Sequence, residues 1–161
     1  LVEEVIKIAN KMENPIILDL CTGSGAIAVS LAKNVPNAKI IATDINKKAL
    51  EIAKYNAKLN GALNSIDFIE SNLFNRIKNL KFDIIVSNPP YIDINEKIDS
   101  LVKDNEPHLA LYSPNLGLYH YEQILIQSQN NLKENGFIIF IKIHIINYTL
   151  NIVLYKKMWY N

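Results

Sequence analysis

The segment Asn88-Pro89-Pro90-Tyr91 follows an apolar run, 82–86, and combines residue types that could hold a planar amino group. Each proline lacks an N–H, fixes its own φ angle and favours extended geometry in the residue before it. The loop therefore offers acceptors without competing donors, namely the side-chain carbonyl of Asn88 and the backbone carbonyl of Pro89. Two convergent acceptors can bind both hydrogens of an NH2 group, and Tyr91 offers an aromatic face for it to pack on. The alternative is an ordinary proline-rich turn.

A second group of residues, 19–25, has the composition of a ligand-binding glycine loop. Gly23 and Gly25 allow a sharp turn that brings backbone against a ligand at a helix N-terminus. With Ala28 the spacing is G-x-G-x-x-A, which also satisfies the dinucleotide fingerprint, so a nicotinamide cofactor would fit it as well. Asp44 ends the next apolar run, where a carboxylate can accept both ribose hydroxyls of an adenosine.

Each of these polar residues also has a structural alternative. Asp19 could be a helix cap or a turn residue, and Asp44 could be the N-cap of the helix that begins near Lys47. Cys21 is expected to pack as a small buried apolar group rather than to react. The three histidines, His108, His120 and His144, are scattered along the chain, and we expect surface or packing roles for them rather than catalytic ones.

Apolar runs alternate with helical periodicity along the chain, which predicts an α/β protein with a doubly wound, mostly parallel sheet. A long irregular stretch, 92–115, interrupts the alternation, and a stretch of that length is usually functional or mobile. The predicted helices are 2–12, 25–33, 47–59 and 119–132, the last capped by Asn135-Gly136. The predicted strands are 16–21, 39–43, 66–70, 82–87 and 137–143.

Composition indicates an ordinary globular domain of 161 residues with a net charge of +1. Arg76 is the single arginine, and the sequence has no basic block, which argues against a reader of nucleic-acid sequence. The lone cysteine excludes an internal disulfide and offers no metal cluster, so we expect no metal and a reducing, cytoplasmic environment. The lysine, histidine and asparagines within 137–155 make a membrane span unlikely to form, so no membrane association is expected.

The Asn-Pro-Pro-Tyr order resembles the (Asp/Asn/Ser)-Pro-Pro-(Tyr/Phe/Trp) motif of S-adenosylmethionine-dependent methyltransferases that modify amino groups on planar carbon. The Asp-x-x-x-Gly-x-Gly pattern from Asp19 is similar to the first motif of class I methyltransferases, which implies their Rossmann-like fold. Asp44 matches their ribose-binding acid. Ser71-Asn72-Leu73-Phe74 matches the segment around the adenine, although the family usually has Asp in place of Asn72. The resemblance implies that the substrate is the N6 amino group of adenine, the N4 amino group of cytosine or the side-chain amide of glutamine.

Further motifs narrow the resemblance. Within Asn105 to Leu111, the segment from Glu106 has the form E-P-x-x-A-L, and Gly117 to Tyr121 has the form G-L-x-x-Y. Together with S-N-P-P-Y-I they resemble the release factor N5-glutamine methyltransferases over residues 1 to 140. The resemblance implies that the substrate is the glutamine of the Gly-Gly-Gln loop in a bacterial-type or organellar peptide release factor, and that S-adenosylmethionine is the cofactor.

The resemblance carries over to named positions. The implied catalytic residues are Asn88, Pro89 and Tyr91. The implied cofactor-binding residues are Asp19, Cys21, Thr22, Gly23, Ser24, Gly25, Asp44, Asn72, Leu73 and Asn88. The implied substrate-binding residues are Asn88, Pro89, Pro90 and Tyr91.

The chain departs from the family at both ends. The family has a helical N-terminal domain that helps dock the release factor, and we expect this chain to be a fragment that begins after it. After the fifth strand the family has Glu-(Ile/His)-Gly, a helix and a strand hairpin, whereas this chain has Ile141-Lys142-Ile143-His144. We therefore expect a methyltransferase domain, 1–140, and an atypical tail, 141–161, that leaves the sheet incomplete or irregular. A frameshifted or truncated terminus would explain the tail.

The apolar segment 137–146 has high β-propensity and little charge, and the tail must either cover it or leave an open apolar edge, so we predict that the chain is marginally stable and self-associates. Three alternatives to the glutamine methyltransferase are an adenine-directed methyltransferase, a nicotinamide oxidoreductase and an inactive fragment. The first should add a basic, aromatic-rich recognition segment, and the second needs a hydride-site acid or base. Neither feature is evident in the sequence.

Overall fold

The computed structural model describes residues 1–96, 108–140, 143–145, 148–150 and 154–156. Its helices are α1 (Val2–Ala9), α2 (Ala26–Asn34), α3 (Lys47–Leu59), α4 (His108–Leu111) and α5 (Tyr119–Ser128), with a 3-10 turn at Leu63–Ser65. Its strands are β1 (Ile16–Leu20), β2 (Lys39–Asp44), β3 (Ile66–Glu70), β4 (Phe82–Ser87), β5 (Ile92–Asp93), β6 (Tyr112–Ser113), β7 (Leu132–Phe140), β8 (Ile143–Ile145), β9 (Tyr148–Leu150) and β10 (Leu154–Lys156).

The main sheet has six strands in the order β10-β7-β4-β1-β2-β3. Neighbouring strands from β7 through β4, β1 and β2 to β3 pair in parallel. Among the described strands of this sheet, β10 alone is antiparallel to its neighbour, β7. The strand order reverses direction at β1, which places the first helices on one side of the sheet and the later segment on the other. This arrangement confirms the doubly wound, mostly parallel α/β fold, with an irregular end.

Both faces of the sheet are buried, which explains why its central strands read as continuous apolar runs. Ile17 and Ile84 pack with α1 and α2 in one cluster, whereas their neighbours Leu18 and Ile85 pack in a second cluster on the opposite face. The second cluster includes Ile124 from α5. The carboxyl ends of β1, β2 and β4 consequently lie at one edge between two packed layers, where such sheets bind ligands.

The boundary between α5 and β7 differs from the sequence prediction. The predicted helix 119–132 ends at Ser128, and the strand expected at 137–143 begins at Leu132. Leu132 pairs with Phe82, and the register shifts before Phe137 pairs with Ile84. Asn135, with φ at 60°, lies in the resulting irregularity rather than in a helix cap.

The tail contributes a strand to the main sheet. β10 pairs with β7 in the register Leu154 to Ile139 and Lys156 to Phe137. An uncovered edge along this part of β7, the condition for the self-association expected from the sequence, is therefore absent from the described residues. A second pair, β8 with β9, forms a separate antiparallel ribbon. The predicted division into a domain, 1–140, and a tail, 141–161, stays a prediction. β10 belongs to the predicted tail but forms part of the main sheet.

Candidate functional site

A cleft of about 550 Å³ opens at the carboxyl ends of β1, β2, β3 and β4. Nine of the residues predicted from the sequence line it. They are Cys21, Thr22, Gly23, Ser24, Asp44, Asn72, Leu73, Asn88 and Pro90. The glycine loop, the acid after β2 and the Asn-Pro-Pro loop thus share one cavity. Four other predicted residues are not among those that line the cleft, namely Asp19, Gly25, Pro89 and Tyr91.

The glycine loop forms a tight turn between β1 and α2. The backbone N–H of Thr22 donates to the Thr43 carbonyl at 2.9 Å, and that of Gly25 donates to the Thr22 carbonyl at 2.9 Å. Gly23 and Gly25 have φ angles of 55° and 81°, in the left-handed region that favours glycine. A Cβ on Gly25 would lie 2.9 Å from the Cβ of Ala53, so this glycine allows α3 to approach the turn. A Cβ on Gly23 would meet no atom within 4 Å, which leaves its backbone open towards the cleft.

Asp44 is half-buried and connects the glycine loop to the turn that precedes α3. Its Oδ2 accepts from the Gly23 N–H at 2.9 Å, and its Oδ1 accepts from the Asn46 N–H at 2.8 Å. The N-cap of α3 is Asn46, whose side chain accepts from the Lys48 N–H at 3.0 Å, so the N-cap alternative for Asp44 is wrong. A carboxylate oxygen has more than one lone pair, so Asp44 can still accept hydroxyl donors from the cleft.

Asp19 is fully buried behind the cleft. Its Oδ2 accepts from the Thr22 hydroxyl at 2.5 Å and from the Ala28 N–H at 3.0 Å, the latter within the first turn of α2. Burial raises the pKa of this carboxyl to about 7. Asp19 therefore fixes the glycine loop and caps α2, which is the structural alternative that the sequence left open, and its cofactor-binding role stays a prediction.

Cys21 has the positive φ angle of 61° at the start of the turn and faces the cleft. Burial raises the pKa of its thiol to about 12. A thiol with so high a pKa is protonated at neutral pH and is a poor nucleophile. Cys21 is suited to packing against a ligand rather than to reacting with it.

The Asn88-Pro89-Pro90-Tyr91 loop is anchored at its start and at its end. The buried hydroxyl of Ser87 donates to the Leu20 carbonyl at 2.6 Å, which ties the end of β4 to the end of β1. Asn88 is exposed in the cleft, and Pro89 is buried. Tyr91 is 39% exposed. A Cβ on Gly117 would lie 2.1 Å from the Tyr91 carbonyl oxygen, so the turn before α5 packs directly on this loop.

The short strands β5 and β6 hold the stretch after Tyr91 beside α5. They pair in parallel, with Ile92 opposite Tyr112 and Asp93 opposite Ser113. These strands were not predicted, because two residues carry no periodicity. The Glu106-Pro107 part of the E-P-x-x-A-L motif lies outside the described residues, whereas Ala110 lines the cleft.

Sequence reasoning missed several lining residues, and most of them flank predicted ones. Ile45 and Ile52 are 56% and 54% exposed and form an apolar rim beside Asp44. An apolar rim of this kind beside a carboxylate suits the flat face of a purine. The sequence signal was available, since Ile45 directly follows Asp44. The other missed residues are Ala26, Ile27, Thr43, Asn46, Ala49, Ala110 and His120, whereas Leu20 and Ser71 also line the cleft and lie within the predicted segments.

His120 lies in the first turn of α5 and lines the cleft, and the surface or packing role expected for it stays a prediction. Its Nδ1 lies 2.8 Å from the Oγ of Ser113, which is fully buried. Burial lowers the pKa of the imidazole. The next residue, Tyr121, is buried against Phe140 with ring centroids 5.0 Å apart, and burial raises its pKa. The positions of the His108 and His144 side chains lie outside the described structure.

The family model described as "Methyltransferase small domain" matches residues 4–110. The chain belongs to this family. It is 45% identical over 135 residues to a release factor glutamine methyltransferase of Lactococcus lactis, with 83% of this chain and 49% of the relative covered. It is also 43% identical over 139 residues to a bifunctional methyltransferase of Rickettsia bellii, with 85% of this chain and 25% of the relative covered. The methyltransferase chain thus spans half or less of these two relatives.

Solved structures share the fold at lower identity. TrmN from Thermus thermophilus superposes with a TM-score of 0.63 at 22% identity, over 87% of this chain and 36% of that one. An RNA methyltransferase from Salinibacter ruber, solved in complex with S-adenosyl-L-homocysteine, superposes with a TM-score of 0.59 at 15% identity, over 86% of this chain and 72% of that one. These two likenesses establish the methyltransferase fold.

None of the described helices has both the length and the apolar character that crossing a membrane requires. Within the same residues, no group of three or more His, Cys, Asp or Glu side chains has an arrangement that could hold a metal ion.

Proposed function

We propose that this chain transfers the methyl group of S-adenosylmethionine to the side-chain amide nitrogen of the glutamine in the Gly-Gly-Gln loop of a peptide release factor. The observation that carries the proposal is the common cleft. It joins Asp44 and the glycine loop to Asn88 and Pro90, so a cofactor and an amino-group acceptor would meet in one cavity. Identities of 41–46% to release factor glutamine methyltransferases support this acceptor.

The cofactor half of the cleft fits S-adenosylmethionine in its donors, acceptors and shape. The free lone pairs of Asp44 suit the two ribose hydroxyls, and the rim of Ile45 and Ile52 suits the adenine face. Asn72 and Leu73 line the same part of the cleft, where an amide can bond to the adenine edge. The open backbone at Gly23 suits the close approach of the amino acid part. When bound, this cofactor supplies an electrophilic methyl group on its sulfonium.

The acceptor half of the cleft activates a poor nucleophile. An amide nitrogen is weakly nucleophilic because its lone pair is delocalised into the carbonyl. Acceptors at the Asn88 side chain and the Pro89 carbonyl would bind its two N–H groups and favour the more pyramidal nitrogen of the transition state. The N–C bond forms as the S–C bond breaks, and the amide proton then leaves to solvent. Tyr91 is proposed to pack on the flat amide.

Placement supplies most of the rate in this scheme. Orientation of two bound reactants can contribute on the order of 7–11 kcal/mol, provided that the reacting atoms are held in line. The Ser87 bond to Leu20 and the Gly117 contact fix the Asn-Pro-Pro-Tyr loop against the strand that carries the glycine loop. Asp19 fixes the other partner, the glycine loop, through Thr22.

A cytoplasmic location follows from the proposed substrate, because release factors act at the ribosome.

The decisive experiment is methyl transfer from radiolabelled S-adenosylmethionine to purified release factor. Parallel reactions contain a release factor with Gln replaced by Ala in its Gly-Gly-Gln loop, and an adenine-containing DNA or RNA oligonucleotide. We expect label in the unmodified release factor alone. Label in the oligonucleotide would instead identify an adenine methyltransferase, and no transfer to any acceptor would mean that this chain is inactive by itself.

A further inference from the structure

His120 lies on the side of the cleft where the methyl-accepting substrate is proposed to bind. The lining residues that come from the end of β4 or from later segments are Asn88, Pro90, Ala110 and His120. Two of these have polar side chains, Asn88 and His120. Asn88 is already assigned as an acceptor for an N–H of the substrate. A primary amide also has a carbonyl oxygen, and a polar group that loses water must gain a hydrogen bond or cost free energy.

The contacts of Ser113 determine which ring nitrogen of His120 can donate. The Ser113 Oγ accepts from the His120 backbone N–H at 3.4 Å and lies 2.8 Å from Nδ1. A hydroxyl that accepts from a backbone N–H has its own proton to donate, and Nδ1 lies within reach of it. Because the buried Ser113 hydroxyl needs an acceptor for this proton, we infer that Nδ1 accepts it, which places the ring proton on Nε2. Because burial lowers the pKa of His120, the ring is neutral at pH 7.

We propose that His120, held by Ser113, donates its Nε2–H to the carbonyl oxygen of the amide that is methylated. The proposal rests on the proposed function and adds to it a specificity-determining residue. Asn88 and Pro89 would bind the nitrogen end of the amide and His120 the oxygen end, so that the amide plane has one orientation in the cleft. An orientation fixed at both ends keeps the nitrogen, rather than the oxygen, next to the methyl group.

This contact should act on substrate binding more than on the chemical step. Delocalisation from nitrogen into the carbonyl decreases as the nitrogen attacks, so the carbonyl oxygen is a better acceptor in the ground state than in the transition state. Loss of the hydrogen bond therefore appears in KM and leaves kcat nearly unchanged. One hydrogen bond between neutral groups corresponds to roughly a threefold to tenfold change in KM.

The test compares substitutions that keep or remove a donor at the Nε2 position. His120→Gln retains an N–H at a similar reach, and His120→Phe retains ring size without a donor. We expect His120→Phe to raise KM for the release factor threefold to tenfold, with kcat within twofold, and His120→Gln to stay near the wild-type values. Affinity for S-adenosylhomocysteine should be unchanged in both. An unchanged KM in His120→Phe, or equal impairment in His120→Gln, would overturn the proposal.

A second pair of variants and a spectroscopic measurement separate positioning from packing. Ser113→Ala should raise KM in the same direction, whereas Ser128→Ala should not, since Ser128 is a buried serine of α5 whose hydroxyl donates to the Leu125 carbonyl. NMR of the protein labelled with 15N-histidine should show a neutral ring with its proton on Nε2, and a proton on Nδ1 would refute the proposal. A wild-type chain that does not methylate release factor would refute the proposed function itself, whereas normal KM values for the variants of an active chain refute only the role of His120.

Discussion

Replacing Asp44 with alanine should weaken the binding of S-adenosylhomocysteine far more than it weakens the fold. In the structure the carboxylate accepts from the Gly23 N–H and the Asn46 N–H and faces the cleft beside Ile45 and Ile52. The variant loses the acceptor for the ribose hydroxyls, and it also frees the two backbone N–H groups that hold the turn in its binding shape.

The magnitude follows from the type of bond that is lost. Hydrogen bonds to a charged group contribute about 1.5–3 kcal/mol, and about 1.4 kcal/mol corresponds to a tenfold change in affinity. The dissociation constant should therefore rise roughly tenfold to 150-fold. The unfolding free energy should fall by about 1 kcal/mol, because the freed N–H groups of Gly23 and Asn46 border an open cleft where water can replace the carboxylate.

Isothermal titration calorimetry measures the affinity, and denaturant unfolding measures the stability. Asp67→Ala is the matched control, since it removes the same charge from an exposed carboxylate of β3 that forms an ion pair with Lys39 at 3.6 Å. It should leave the dissociation constant unchanged. An Asp44→Ala protein that is folded and binds within twofold of wild type would exclude Asp44 from the ribose site and refute the assignment of this end of the cleft.

Three further predictions concern the acceptor loop and the core. Asn88→Ala should reduce methyl transfer by a factor of roughly 100 or more, because it removes a preorganised polar contact, while cofactor affinity stays within a few-fold. Kinetics and calorimetry measure the two quantities, and an equal loss of both would show that Asn88 has a different role. Gly117→Ala should destabilise the chain and raise KM for release factor, since the new Cβ would overlap the Tyr91 carbonyl at 2.1 Å and a φ of 82° disfavours alanine; an unchanged melt and KM would contradict this contact. Asp19 has a pKa raised by burial to about 7, so its protonated form favours the folded state and wild-type stability should fall as pH rises from 5 to 8. The loss is at most about 1.4 kcal/mol per pH unit up to pH 7, and Asp19→Asn should lack it in denaturant titrations at the two pH values; parallel profiles would refute the raised pKa.

The elements that sequence patterns located best are those with local signals. Helix α3 has the predicted bounds because Asn46 caps its start and Asn60-Gly61 follows its end. The strands 66–70 and 82–87 are apolar runs between polar turns, and both were predicted at the observed bounds.

The boundary between α5 and β7 was wrong because distant partners decide it. The side chain of Asn131 donates to the carbonyls of Ile77 and Leu80, at 2.7 and 2.8 Å, and the backbone carbonyl of Asn131 accepts from the Phe82 N–H. These bonds end the helix before Leu132 although the local pattern continues it. No periodicity in residues 128–136 reports a partner that lies fifty residues away.

The candidate site also contains residues that local sequence signals locate and residues whose position depends on distant partners. Motif spacing located the glycine loop, Asp44 and Asn88, because a ligand-binding loop needs particular residue types next to each other. His120 was assigned to surface or packing, because its relation to the cleft depends on the β5–β6 pair and on Ser113 rather than on its sequence neighbours. The capping role of Asp19 could not be read from the sequence, because its partners, Thr22 and Ala28, are specified by the fold of the turn.

The β5–β6 pair has a consequence for how the domain can change in evolution. The chain leaves the active loop at Ile92–Asp93 and returns beside the same residues at Tyr112–Ser113. The excursion between them starts and finishes at one place, so insertions or deletions within it need not displace Asn88 or His120. New docking sequences could be exchanged there as a module while the residues proposed to bind the substrate stay in place, which would let one domain acquire different protein or nucleic-acid substrates.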